Sequence, residues 1–88
     1  MSIDPPRIEF PCDYPLWIIG DVHAKFREQV LAIVREHAAE VRESSISVRE
    51  SRGGSYCSVR VTIVATGEQQ LRALHAALVA EPAVRMVL

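Results

Sequence analysis

The stretch "RGGSYCSVRVTIVAT", residues 52–66, sets two glycines ahead of a run in which apolar and polar side chains alternate. A period of two places successive side chains on opposite faces of a strand, so Cys57, Val59, Val61 and Ile63 share one face. Tyr56, Ser58, Arg60 and Thr62 share the other. Just upstream, "SSISVRES" (residues 44–51) alternates as well, and the intervening glycines have the freedom at positive φ that a two-residue hairpin turn demands. With Arg52 facing Ser55, counting outward sets Glu50 opposite Cys57, Val48 opposite Val59 and Ile46 opposite Val61. Turn chemistry and hydrophobic pattern thus give one register.

Working outward, "HAKFREQVLAIVREHAAEV" (residues 23–41) changes period. Phe26, Val30, Ile33, Val34, His37 and Val41 recur at helical spacing with charges on the opposite side, which predicts an amphipathic helix over residues 23–40. A second helix is predicted in "EQQLRALHAALVAE" (residues 68–81) from the spacing of Leu71, Leu74, Leu78 and Val79, stopped by Pro82. "AVRMVL" then reads as a last short strand. Ahead of the first helix, "YPLWIIGD" is rich in aromatic and β-branched residues and predicts a strand over residues 14–20. Pro5, Pro6 and Pro11 make residues 1–13 an extended arm.

The order strand, helix, hairpin, helix, strand is the split βαβ pattern of an α+β, ferredoxin-like βαββαβ fold. Right-handed crossovers put both helices on one face of a four-stranded antiparallel sheet of order 4-1-3-2. The domain spans residues 14–88. Its other face is open and carries Ser47, Arg49, Tyr56, Ser58, Arg60 and Thr62.

Composition narrows the functional classes. A chain of 88 residues has room for one core. A net charge of −1 lacks the basic footprint of a nucleic-acid module. RNA-recognition sheets also stack bases on several aromatics, whereas only Tyr56 is assigned to the open face. No run of roughly 18 uncharged apolar residues suggests a membrane span, and "MSIDPPRIEF" lacks the pattern of a signal peptide. The expectation is a cytoplasmic protein. Cys12, in a loop, and Cys57, in the core by parity, read as reduced thiols. His23, His37 and His75 are scattered and form no metal spacing. No nucleophile is paired with a base, so the chain reads as non-enzymatic, with no cofactor or metal.

Three segments, "EFPCDYPLWIIG", "GGSYCSVRVTIVAT" and the terminal "VRMVL", give the chain a resemblance to the YbeD-like family of small bacterial proteins of unknown function, over roughly residues 9–88. The resemblance implies a ferredoxin-like fold similar to ACT-type regulatory domains, such as that of phosphoglycerate dehydrogenase. In those domains an amino acid sits at a glycine-containing loop after the first strand, commonly following an aspartate. Asp21 matches that aspartate, while Ala24 and Lys25 replace the turn. The family's genes often neighbour the octanoyltransferase of lipoate biosynthesis, which implies a link to lipoate metabolism.

Two functions are expected from this reading. The first is a regulatory or adaptor module that binds a protein partner, or itself as a weak homodimer, through the open sheet face or a strand edge. The alternative is an ACT-like sensor of a small anionic metabolite. The residues assigned to a site are Arg49 and Arg60, diagonal neighbours across the hairpin, with Tyr56, Ser58 and Asp21.

Overall fold

A computed structural model describes residues 9–22 and 24–88, with the Arg52 side chain outside the described part. The elements are β1 (Cys12–Asp21), α1 (Phe26–His37), β2 (Val41–Glu50), β3 (Tyr56–Ala65), α2 (Glu68–Ala80) and β4 (Val84–Val87). They form one antiparallel sheet of order β2-β3-β1-β4, the expected arrangement written from the other edge.

The alternation in β3 is resolved as predicted. Cys57, Val59, Val61, Ile63 and Ala65 are buried, and Val59 and Ile63 are wholly inaccessible. Both helices supply the other half of this core, α1 through Phe26, Val30, Leu31 and Val34 and α2 through Leu74 and Leu78. β1 adds Leu16 and Ile18. At about 25 cal/mol per Å² of apolar surface, full burial of each large aliphatic contributes roughly 1.5–3 kcal/mol, which makes this single layer the main source of stability. Val79, counted with the α2 stripe, is instead 57 % exposed. It is rotated about 100° from Leu78 around the helix, past the edge of the buried face.

Gly20 fixes how α1 approaches the sheet. A Cβ at that position would collide with the Phe26 ring and with the Ala83 carbonyl, and that carbonyl accepts the Asp21 N–H at 2.9 Å. Glycine here lets the first aromatic of α1 rest on bare backbone.

The hairpin register agrees with the sequence reading at its outer end, where Glu50 pairs with Cys57 and Val48 with Val59. Its loop is longer than predicted. The Ser51 N–H donates to the Tyr56 carbonyl at 2.8 Å and the Tyr56 N–H to Ser51 Oγ at 3.0 Å, so residues 52–55 form a four-residue connection. Gly53 and Gly54 sit at φ +82° and +68°, the left-handed region that favours glycine. Further in, the register shifts between Arg42 and Ser47, and Val41 pairs with Ile63. Ile46 therefore lies in the irregular stretch and does not extend the predicted ladder to Val61. Within that stretch Ser45 Oγ accepts the Thr62 N–H at 2.8 Å and donates to the Arg42 carbonyl.

Other boundaries move. α1 begins at Phe26 rather than at residue 23, with Ala24 and Lys25 in a turn before it. α1 ends at His37, short of residue 40, and Ala38 is already extended at φ −132°. The Gln70 amide donates to the His37 carbonyl at 2.9 Å, satisfying one exposed end of the helix. Val41 thereby belongs to β2 and still packs against the core. β1 begins at Cys12, which pairs with Ala65, so Cys12 and Asp13 are in the sheet rather than in a loop or arm. The rest of the predicted arm through residue 8, and His23, lie outside the described residues.

Candidate functional site

Strand register determines what stands on the open face. Arg60 of β3 is opposite Trp17 of β1 and Ser47 of β2, Ser58 is opposite Ile19 and Arg49, and Tyr56 is opposite Asp21. On the far side of β1, Ile19 is paired with Met86 of β4. Trp17 and Leu88 exchange both backbone hydrogen bonds, at 3.0 and 2.8 Å. The middle of the face thus carries an apolar strip, Trp17 and Ile19 of β1 with Met86 and Leu88 beside them, next to a polar, cationic side over β2 and β3, while Asp21 and Arg85 lie at the end of the strip.

Several of these apolar groups are unusually accessible: Trp17 at 37 %, Met86 at 51 %, Tyr56 at 53 % and Leu88 at 59 %. The sequence does not announce Trp17 on this face, because "PLWII" is apolar at every position and carries no alternation. The face accordingly holds two aromatics, Trp17 and Tyr56, where alternation alone points to Tyr56. The Arg60 guanidinium carbon lies 4.4 Å from the Trp17 ring centroid, a cation–π stack.

Arg49 and Arg60 share the face as diagonal neighbours, but they do not converge on one pocket. Arg60 leans toward β1, over Trp17, and lines a shallow depression with Ser47, Thr62 and Leu88. Arg49 lies on the other side of β3 and lines a second depression with Ile19, Tyr56 and Ser58. A third, beside it, is bounded by Asp21, Tyr56, Arg85 and Met86.

The electrostatics separate occupied charges from available ones. Asp21 accepts two bonds from the Arg85 guanidinium, at 2.9 and 3.2 Å, and this hydrogen bond raises the Arg85 pKa. Asp13 accepts from Arg42 at 3.1 and 3.2 Å, across β3. Arg35 of α1 holds Glu43 through both carboxylate oxygens. Arg49 and Arg60 have no carboxylate partner among the described residues.

Chemistry elsewhere is sparse. Burial, and after it the charge of its neighbour Glu50, pushes the Cys57 thiol up, the opposite of an activated nucleophile. His37 Nδ1 lies 3.0 Å from the Ile33 carbonyl. His75 lines a cavity of about 180 Å³ between α2 and β4, walled by Leu71, Leu74, Leu78 and Val87, which is smaller than an ordinary ligand pocket. Among the described residues, no three His, Cys, Asp or Glu groups are placed to hold a metal ion. No helix among them is long and apolar enough to cross a membrane.

Solved structures with this architecture share little sequence with the chain. Protein HP0495 from H. pylori superposes with a TM-score of 0.75 at 13 % identity, covering 100 % of this chain and 98 % of its own. The ACT domain of GTP pyrophosphokinase from Chlorobium tepidum gives 0.70 at 14 % identity, covering 86 % of this chain and 94 % of its own. Identities this low carry the fold alone. In sequence, a UPF0250 protein of Hahella chejuensis is 51 % identical over 83 residues, covering 94 % of this chain and 91 % of that one. The model of the family described as "Protein of unknown function (DUF493)" matches residues 5–88. With residues 5–88 matched by the family model and 51 % identity to a relative over 83 residues, the chain belongs to the DUF493, or UPF0250, family of small bacterial proteins of unknown function, with an ACT-like ferredoxin fold.

Proposed function

We propose that the chain is a non-enzymatic regulatory or adaptor module that binds a protein partner through the open face of its sheet. The observation that carries this reading is the exposure of Trp17, Tyr56 and Met86 on a sheet face with both helices on its other side. Aromatic and Met side chains are enriched at contact surfaces, and Trp and Tyr recur among the few residues that supply most of the binding energy there. The ACT-domain neighbour supports the reading at the level of fold only, since a module of this shape serves there as one domain of a larger protein.

The metabolite-sensor alternative has weaker support. Its aspartate, Asp21, is engaged by Arg85, and Arg49 and Arg60 line separate depressions. Site-specific photo-cross-linking in living cells tests the preferred reading. A cross-linker at Ser58 on the open face is expected to capture one discrete protein, and the same group at Arg72, exposed on α2, is expected to capture none. Equal, diffuse labelling from both positions would overturn it.

A further inference from the structure

The open face is asymmetric in charge as well as in polarity, and that asymmetry specifies the chemistry of what covers it. Among the described residues, the side-chain carboxylates on this face, Asp13 and Asp21, are both engaged by arginines, Arg42 and Arg85. Arg49 and Arg60 have no carboxylate partner among the described residues. Among the described residues the face therefore presents two cations without a carboxylate partner, beside an apolar strip formed by Trp17, Ile19 and Met86.

We propose that this face binds an acidic amphipathic segment of another protein, its apolar side on Trp17, Ile19 and Met86 and its carboxylates on Arg49 and Arg60. The inference rests on the partner-binding reading above and adds the class of partner. The Arg60 guanidinium carbon lies 4.4 Å from the Trp17 ring centroid, a contact that restrains the side chain, and its N–H donors have no carboxylate partner among the described residues. A carboxylate arriving there meets a fork whose conformational entropy is already reduced, in the bidentate geometry that arginine favours.

Charge complementarity also decides among occupants. A second copy packed face to face would bring Arg49 and Arg60 against a surface whose own carboxylates are engaged, so like charges would meet without compensation. Nucleic acid would need bare aromatic faces for stacking. Here Arg60 covers one face of Trp17, which leaves Tyr56 as the other exposed ring on this face rather than a row of bare aromatics, and the chain's net charge of −1 gives no general attraction to phosphate. An acidic segment that also carries apolar side chains matches both the cations and the apolar strip of the face.

Trp17 is the only tryptophan in the chain, so its fluorescence reports directly on this surface. The test titrates the full chain at low salt with a synthetic amphipathic peptide bearing leucines on one helical side and glutamates on the other. A second titration uses the same peptide with lysines in place of the glutamates. The acidic peptide is expected to shift Trp17 emission saturably and the basic one to bind at least tenfold more weakly. The double variant Arg49→Ala, Arg60→Ala, checked for folding by circular dichroism, is expected to weaken the acidic peptide by about tenfold, the combined effect of two exposed ion pairs. Equal binding of both peptides overturns the proposal, as does no response to either, or tighter binding of a single-stranded RNA oligonucleotide. If the Ser58 cross-link to a discrete protein persists while the acidic peptide fails, the partner's chemistry is wrong and the face reading stands. If both fail, the face reading falls as well.

Discussion

Neighbouring residues on one strand answer to different rules here. Val61 is 1 % exposed within the core, whereas Arg60, one position earlier, stands on the open face over Trp17. Val61→Asp buries a charge without a partner and is expected to abolish folding, seen as a loss of the helical circular dichroism signal. Arg60→Ala forfeits only the stack on Trp17, about 0.5–1 kcal/mol at an exposed site. Gly20 is constrained by space rather than by backbone angle, because a methyl group there meets both the Phe26 ring and the Ala83 carbonyl. Gly20→Ala should lower stability by about 1–3 kcal/mol, as overpacking does, read from the midpoint of urea unfolding; an unchanged midpoint would show that α1 can shift freely. Cys57 gives the domain a pH dependence of definite sign. Its pKa is raised in the folded state by burial and by Glu50, so on raising the pH the unfolded chain loses this proton first. The stability it contributes is whole below the ordinary thiol range, about 8.5, and is lost as pH climbs through the folded value. Relative to the wild type, Cys57→Ala should show a shallower fall in unfolding free energy on the alkaline side; parallel curves would rule the thiol out as the cause.

At the level of elements, the β2–β3 hairpin shows which signals the sequence carries and which it does not. The outer register, Glu50 with Cys57 and Val48 with Val59, was legible because turn glycines and two alternating strands constrain it independently. The inner register was not, because Ser45 replaces a ladder bond with a side-chain bond to the Thr62 N–H, and a serine in "SSIS" has no periodicity to announce that substitution. Ser45→Ala should leave that N–H without its partner and cost about 1 kcal/mol, with faster amide exchange confined to Thr62 and its neighbours; exchange unchanged at Thr62 would mean that water replaces the hydroxyl at no cost. The end of α1 was obscured for a related reason. Val41 falls one helical turn beyond His37 and is also the first inward residue of β2, so an apolar side chain at that position satisfies both readings. β1 concealed the most consequential feature. Leu16 and Ile18 face the core, Trp17 and Ile19 face outward, and a run apolar on both faces hides the surface that bears most on function. Arg49, Tyr56, Ser58 and Arg60 were placed on that surface by parity alone. The ion pair that occupies Asp21 joins residues 64 positions apart and has no local signature.

For the whole molecule, the sheet order leaves two edges, β2 and β4. β4 spans only four residues and offers little length for pairing. β2 spans ten residues, and among the described residues its outer edge has no strand beside it, so it presents backbone groups of the kind that recruit another strand. The donation from Ser51 to the Tyr56 carbonyl fixes the alternation of the antiparallel ladder, so the N–H groups of Glu50 and Val48 point away from β3, toward that edge. Two copies related by a two-fold axis could pair β2 with β2 antiparallel and extend the sheet to eight strands. The irregular stretch between Arg42 and Ser47 shortens the straight part of the edge, so this association should be weak. Sedimentation equilibrium is expected to show a reversible monomer–dimer mixture near 0.1 mM, the range of a weak contact, and monomer alone at that concentration refutes the dimer. Two variants then locate it. Val48→Pro removes an outward donor while sparing the ladder to β3 and should shift the mixture toward monomer. Arg49→Ala with Arg60→Ala alters the open face and should leave the mixture unchanged. If the arginine variant dissociates the dimer and the proline variant does not, the copies meet through the open face, and the edge assignment for self-association is wrong.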